Sequence, residues 1–175
     1  ARQVRKGTAI PYISHLLAVT SLVLENGGGE DEAIAALLHD AIEDQGGAET
    51  REDIRRRFGD TVTAIVDGCS DTDVIPKPPW RARKERYIAH LHAAPPAVRL
   101  VSAADKLHNV RSILADYRVF GEVLWRRFNG GKAGTLWYYR SVTDALREGD
   151  SSPLFDELDR TLTELERLAN EHDTV

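Results

Sequence analysis

Residues 37–44 read Leu37-Leu38-His39-Asp40-Ala41-Ile42-Glu43-Asp44 and place one imidazole and three carboxylates within six residues. Apolar side chains recur around them at the spacing of an α-helix, so the pattern predicts a helix from Asp31 to about Gln45. In such a helix, each member of the His39-Asp40 pair lies one turn before a member of the Glu43-Asp44 pair. The sequence therefore predicts two stacked polar pairs among apolar neighbours.

Burying three acids in an apolar stretch is costly unless a cation accompanies them. A divalent metal ion removes that cost, and imidazole with carboxylate is a ligand set that suits Mn, Fe or Zn rather than Ca. The alternative is a helix that ends in acids facing solvent. An adjacent His and Asp do not by themselves separate the two interpretations.

The composition is that of an ordinary globular protein, with 175 residues, 42% hydrophobic side chains and a net charge of -5. Its negative charge argues against general nucleic-acid binding. The chain has no run long enough to span a membrane and no signal peptide, and its one cysteine, Cys69, fits a reducing compartment. We therefore expect a cytoplasmic protein. Because the sequence lacks methionine and begins in a basic segment, we also expect a short natural N-terminal segment to precede it.

Helical periodicity continues along the chain, and glycine and proline punctuate it. Gly59 separates two predicted helices, Pro95-Pro96 begins a long one, and an acidic amphipathic helix with a leucine stripe ends the chain. No segment alternates as a strand would. The sequence therefore predicts an all-α fold, a single domain over residues 1–175 with about eight or nine helices. We place the metal site within residues 12–111 and a C-terminal helical part at 119–172; a homodimer formed through the leucine stripe is the alternative to its packing within the domain.

Three predicted helices together supply two imidazoles and two carboxylates, from His15, His39, Asp40 and Asp105. This set can hold one divalent ion and leave positions for water and substrate. Such an ion lowers the pKa of bound water and polarises a phosphoryl oxygen. Glu43 and Asp44, one turn beyond the ligands, are placed to take a proton from that water. The alternative for His15 is a core histidine with ordinary partners.

The order His15, His39-Asp40, Asp105 resembles that of the HD-domain metal phosphohydrolases. Further segments are similar to the hydrolase domain of RelA/SpoT proteins and to the stand-alone small alarmone hydrolases of the metazoan SpoT homologue type. They are Arg5-Lys6, Pro11 to His15, Ala36 to Asp44, Phe58-Gly59 and Ala103 to Arg111. Two later segments, 125–128 and 136–139, resemble the C-terminal part of bacterial single-domain members.

The resemblance implies a manganese ion held by His15, His39, Asp40 and Asp105, with Fe, Co or Zn as alternatives. It implies that Glu43 and Asp44 position and deprotonate the attacking water. It further implies that Arg5 and Lys6 contact the base and phosphates of a guanosine-type nucleotide, and that Asn109, with Ser112 beside it, contacts the sugar or a phosphate. The family reaction removes pyrophosphate from the 3′ position of ppGpp or pppGpp.

A basic segment at 77–86 has two interpretations, a solvated helix face or a surface that attracts a phosphate-rich substrate. In the second, Lys77, Lys84 and Arg86 are the expected contacts. The function also has alternatives. One is a phosphohydrolase for another nucleotide, including the 2′-phosphate of NADPH, and the other is a nucleotide-binding regulatory module without turnover. The Glu43-Asp44 pair argues against a regulatory module without turnover, because binding alone requires no base.

Overall fold

The structure is a computed structural model that describes residues 3–72, 76–148 and 151–171. Those residues form eight α-helices and one 3-10 helix. These are α1 (Ile13–Glu25), α2 (Glu30–Leu38), α3 (Ala41–Gln45), α4 (Ala48–Cys69), α5 (Trp80–Leu91), α6 (Pro96–Phe120), the 3-10 helix (Gly121–Arg127), α7 (Gly131–Arg147) and α8 (Pro153–Glu171). Between described residues the only β contact is an isolated bridge from Val4 to Pro11. The prediction of an all-α fold is confirmed.

Helix α6 is the centre of the packing, because it contacts α1, α2, α4, α7 and α8. Its apolar residues recur at helical spacing and are buried, including Val101, Leu107 and Val110. Helix α8 covers α6 and α7 with the predicted leucine stripe, in which Leu158, Leu162 and Leu165 are fully buried. The stripe thus packs within the chain. The single domain over residues 1–175 stays a prediction, and parts of its C-terminal segment (149–150 and 172–175) lie outside the described residues.

The continuous helix predicted from Asp31 to Gln45 is wrong. Helix α2 ends at Leu38 and α3 begins at Ala41, with His39 and Asp40 in a turn between them. The His39 side chain competes with the backbone for the carbonyl oxygen of Ala36, because its Nδ1 lies 2.8 Å from that oxygen. A side chain that occupies a carbonyl near a helix end offers the backbone an alternative to the next helical hydrogen bond. The break places His39 and Asp40 at a helix junction facing α1 and α6.

The predicted break at Gly59 is confirmed as a kink within α4. Gly59 has φ of 88° and ψ of 177°, a left-handed conformation that favours glycine. The two parts of α4 therefore run in different directions, and the second contributes Val62, Ile65 and Val66 to the core. The segment between α4 and α5 is described except for residues 73–75.

A short turn before α1 carries the predicted Arg5-Lys6 pair. The Arg5 amide donates to Ile10 at 2.9 Å and the Thr8 amide donates to Arg5 at 3.0 Å. Gly7, at the tip of the turn, has φ of 72°. The turn folds the N-terminal segment back against α6. No described helix is both long and apolar enough to cross a membrane.

Candidate metal centre and nucleotide site

Three predicted ligands meet in the core, from three different elements. His15 comes from α1, His39 from the α2–α3 turn and Asp105 from α6, and their ligating atoms all lie within 4.8 Å of one another. His15 Nε2 is 3.1 Å and His39 Nε2 is 3.6 Å from the same oxygen, Oδ1 of Asp105. All three side chains are buried. Two imidazoles and a carboxylate that converge in this way can hold a divalent metal ion.

Asp40, the fourth predicted ligand, borders this cluster. Its Oδ2 lies 3.2 Å from His39 Nε2 and accepts a hydrogen bond from the Tyr12 hydroxyl. Burial and the negative charge of Asp40 raise the pKa of Tyr12, so the phenol stays protonated and donates. Tyr12 therefore orients one oxygen of Asp40, a contact that sequence reasoning missed because the two residues lie on different elements.

The tautomer of His39 suits a metal ligand. Because Nδ1 lies 2.8 Å from the Ala36 carbonyl, Nδ1 carries a hydrogen and Nε2 is the atom that faces the cluster, where a metal ion would take the place of its proton. Nε2 is buried and has no hydrogen-bond partner among the described residues. Burial alone lowers the pKa of His39, whereas the carboxylates of Asp105 and Asp40 outweigh it and raise the pKa to about 10. The carboxylates thus draw a positive charge to Nε2, which fits a bound metal ion.

His15 is held in the matching tautomer by His108 and Arg5. Arg5 Nη1 lies 3.2 Å and His15 Nδ1 lies 2.8 Å from His108 Nδ1. A guanidinium only donates, so His108 Nδ1 accepts, His15 Nδ1 carries a hydrogen, and His15 Nε2 faces Asp105 with a lone pair. Burial, His15 and Arg5 lower the pKa of His108 to about 4, which keeps it neutral and able to accept.

Replacing His108 with Phe is expected to weaken the affinity for divalent metal about 10- to 100-fold, because the partner that orients His15 is lost. Isothermal titration with Mn²⁺ measures this. His108→Gln is the matched control, since an amide oxygen can still accept from His15. Equal metal affinity in the Phe variant and the unaltered protein would contradict this role of His108.

Asp105 is ionised although it is buried. Burial raises its pKa, but Lys106, His15 and His39 hold the pKa well below its usual range. Lys106 pairs with Oδ2 of Asp105, and its ammonium lies 5.2 Å from the ring centre of Tyr87 and 5.9 Å from that of Tyr138. Sequence reasoning assigned no role to Lys106, because the residue lies beside the apolar face of α6 rather than on it.

A cavity of about 260 Å³ opens beside the cluster and is lined by Glu43 and Asp44 as well as by Asp40 and Asp105. Partial burial and the Asp40 carboxylate raise the pKa of Asp44, which makes Asp44 a stronger base than an ordinary aspartate. Oε1 of Glu43 instead accepts a hydrogen bond from Lys77 at 2.8 Å. The two predicted catalytic acids therefore differ in their environments.

The residues of the basic segment at 77–86 differ in how close they lie to this cavity. Lys84 lines it and pairs with Asp71 at 2.5 Å, while Lys77 reaches it through Glu43. Arg86 is exposed and lines none of the cavities around the cluster, so its role stays a prediction. Arg83 also pairs with Asp71 and lies 3.9 Å from Glu43. Sequence reasoning singled out neither member of the Asp71–Arg83 pair.

A second cavity, of about 170 Å³, brings together the remaining predicted contacts Arg5, Lys6, Asn109 and Ser112. Arg5 donates to Asn109 Oδ1 at 3.1 Å, and Asn109 donates to Asp105 at 2.6 Å. Tyr12, Asn109 and Tyr139 line both cavities. The two cavities are therefore adjacent and share these three side chains as walls. A larger groove of about 1020 Å³ lies along α3 and α4 and contains none of the cluster residues, so volume alone does not locate the site.

The fold and the cluster define a class, a helical domain with a buried His/His/Asp metal site that opens to a charged cavity. The family model described as HD domain matches residues 1–119, and the chain belongs to the HD-domain family. The resemblance predicted from the sequence is confirmed.

Among curated relatives, the chain is 38% identical over 105 residues to the guanosine-3′,5′-bis(diphosphate) 3′-pyrophosphohydrolase MESH1 of Xenopus tropicalis. That match covers 59% of this chain and 56% of the frog protein. A GTP pyrophosphokinase of Streptomyces coelicolor is 39% identical over 104 residues, covering 59% of this chain and 12% of the relative. The matched region is therefore about half of the first protein's length and a small part of the second's.

Two solved structures share the architecture. The protein lmo0812 of Listeria monocytogenes superposes with a TM-score of 0.78 at 28% identity, covering 86% of this chain and 97% of the other. A metazoan orthologue of SpoT that hydrolyses ppGpp superposes with a TM-score of 0.76 at 25% identity, covering 93% of this chain and 86% of the other. Both matches extend beyond residue 119, because each covers more of the chain than the family model does.

Proposed function

We propose that this protein is a metal-dependent hydrolase that removes the 3′-pyrophosphate of guanosine 3′,5′-bis(diphosphate)-type nucleotides. The observation that carries the proposal is the junction of the two cavities at Asn109. This side chain donates to Asp105 of the metal cluster and accepts from Arg5 of the second cavity. A nucleotide whose 3′ group lies at the cluster therefore has room for its nucleoside on the Arg5 side. The relatives named for this activity support the same substrate class.

His15, His39, Asp105 and Asp40 would hold the divalent ion, which would supply Lewis-acid activation of water and of a phosphoryl oxygen. Asp44, with its raised pKa, takes the proton of the attacking water, and Glu43 is fixed beside it by Lys77. Lys84 and Lys77 offset the negative charge of the phosphates. Water attacks the phosphorus attached to the 3′ oxygen, and the bond between that phosphorus and the 3′ oxygen breaks. The 3′ oxygen takes up the proton that Asp44 received, which leaves a 3′ hydroxyl and free pyrophosphate.

We propose Mn²⁺ as the ion, with Fe, Co or Zn as alternatives that the same donor set accepts. The proposed compartment is the cytoplasm, and a homodimer stays a prediction. The ligand roles of His15, His39, Asp40 and Asp105 and the substrate roles of Arg5, Lys6, Asn109, Ser112, Lys77, Lys84 and Arg86 belong to this proposal.

The direct test incubates the purified protein with Mn²⁺ and ppGpp and separates the products by ion-exchange chromatography. We expect GDP and pyrophosphate, with both lost on chelation of the metal. Release of orthophosphate alone would contradict the regiochemistry. No product from ppGpp, together with turnover of NADPH or another nucleotide in the same assay, would replace the proposed substrate.

A further inference from the structure

The second cavity contains an ion pair that the proposed function does not use. Asp116 on α6 and Arg127 in the 3-10 helix both line this cavity, and Arg127 Nη1 lies 3.1 Å from Asp116 Oδ2. Their side chains are 38% and 25% exposed, so both retain surface toward the cavity. Phe128 and Tyr139 add aromatic surface to the same walls.

The pair is held in place before any ligand binds. A Cβ built on Gly7 would lie 2.9 Å from Cδ of Arg127, so the arginine side chain packs closely against the N-terminal turn. Its guanidinium also lies 4.5 Å from the ring centre of Phe120. Asp116 projects from a 25-residue helix that packs against five others. Donor and acceptor therefore keep a defined position relative to each other.

The charge of Asp116 indicates which part of a nucleotide lies beside it. Arg5 and Lys6 of the same cavity attract phosphate, whereas the Asp116 carboxylate repels phosphate and accepts hydrogen bonds from N–H donors. The uncharged end of the nucleotide, its base, is therefore the part that fits beside Asp116. The shared residues Tyr12, Asn109 and Tyr139 place this base position next to the proposed 3′ position.

We propose that the Asp116–Arg127 pair selects guanine over adenine, an inference that rests on the proposed function for the orientation of the nucleotide. Guanine carries the O6 acceptor beside its N1–H and N2–H₂ donors. A carboxylate accepts from both donors while a guanidinium donates to O6 or N7. Adenine places a lone pair at N1 and an amino group at C6, so it presents the wrong partner to each charged group.

The test is equilibrium dialysis of GDP and ADP with the Mn²⁺-loaded protein, because neither nucleotide has a 3′ phosphate to be hydrolysed. We expect the unaltered protein to prefer GDP about tenfold or more, the discrimination of one bidentate base contact. Asp116→Asn is expected to weaken GDP binding and to strengthen ADP binding, since an amide pairs with adenine through one donor and one acceptor. A gain in ADP binding cannot come from misfolding.

Glu164→Gln is the matched control. It removes an acid that pairs with Arg118 of α6 at 3.4 Å, away from the cavity, and should leave the preference unchanged. Equal binding of GDP and ADP by the unaltered protein would overturn the inference, as would an unchanged preference in Asp116→Asn. The outcome of the ppGpp assay does not depend on the outcome of the GDP and ADP binding measurement. A guanine preference that depends on Asp116 without ppGpp turnover contradicts the proposed function alone, and turnover with no such dependence contradicts this inference alone.

Discussion

Asp105→Asn is expected to abolish high-affinity metal binding and ppGpp hydrolysis and also to destabilise the fold. The carboxylate contributes the oxygen that both His15 and His39 face, at 3.1 and 3.6 Å. A neutral amide of the same shape cannot balance a divalent charge there. It also leaves Lys106 without its anionic partner in a buried position, where breaking an ion pair costs about 3–5 kcal/mol. Metal titration and chemical denaturation measure the two effects separately.

A second substitution distinguishes loss of the ligand from loss of the fold. Asp105→Asn with Lys106→Met removes the unpaired charge, and the methionine can occupy the space beside Tyr87 and Tyr138. We expect most of the stability to return in this double variant, because an apolar replacement of a buried pair is often neutral. Metal binding should stay lost. A stable double variant that binds Mn²⁺ with the original affinity would show that Asp105 is not a ligand.

Local sequence patterns predicted most of the helices and singled out His15, His39 and Asp105, which the structure brings together. Apolar side chains at helical spacing identify a helix because burial of one face is what stabilises it, and Gly59 marks a kink because it takes a left-handed conformation. Taken singly, His15 and Asp105 are weak signals, because a histidine near an apolar helix face usually has ordinary core partners. Together with His39 and Asp40 they supply two imidazoles and two carboxylates, a set that suits a divalent ion.

The contacts that set the chemistry of the site could not be predicted from local sequence. The break after Leu38 depends on a side-chain bond of His39 to the backbone, which competes with a helix that periodicity favours. The tautomer of His15 depends on His108, 93 positions later in the chain. The environment of Glu43 depends on Lys77, 34 positions away. The last two pairings join residues far apart in the chain, so they arise from tertiary packing and no local pattern encodes them.

Glu43→Gln with Asp44→Asn is expected to lower kcat about 10²- to 10⁴-fold, the usual contribution of a general base, while metal affinity stays unchanged. Asp44→Asn alone should account for most of the loss, because partial burial and Asp40 raise the pKa of Asp44, whereas Glu43 is engaged by Lys77. The measurements are steady-state kinetics on ppGpp and Mn²⁺ titration of the same preparations. Glu49→Gln with Glu52→Gln is the matched control, since both acids line the separate groove along α4.

The two measurements together distinguish a base from a ligand. Loss of metal binding in the Glu43/Asp44 variant would reassign these acids to the metal. Full turnover with metal bound would remove both acids from catalysis. The expected result, metal bound and turnover lost, would assign metal binding to His15, His39, Asp40 and Asp105 and proton transfer to the two acids of α3.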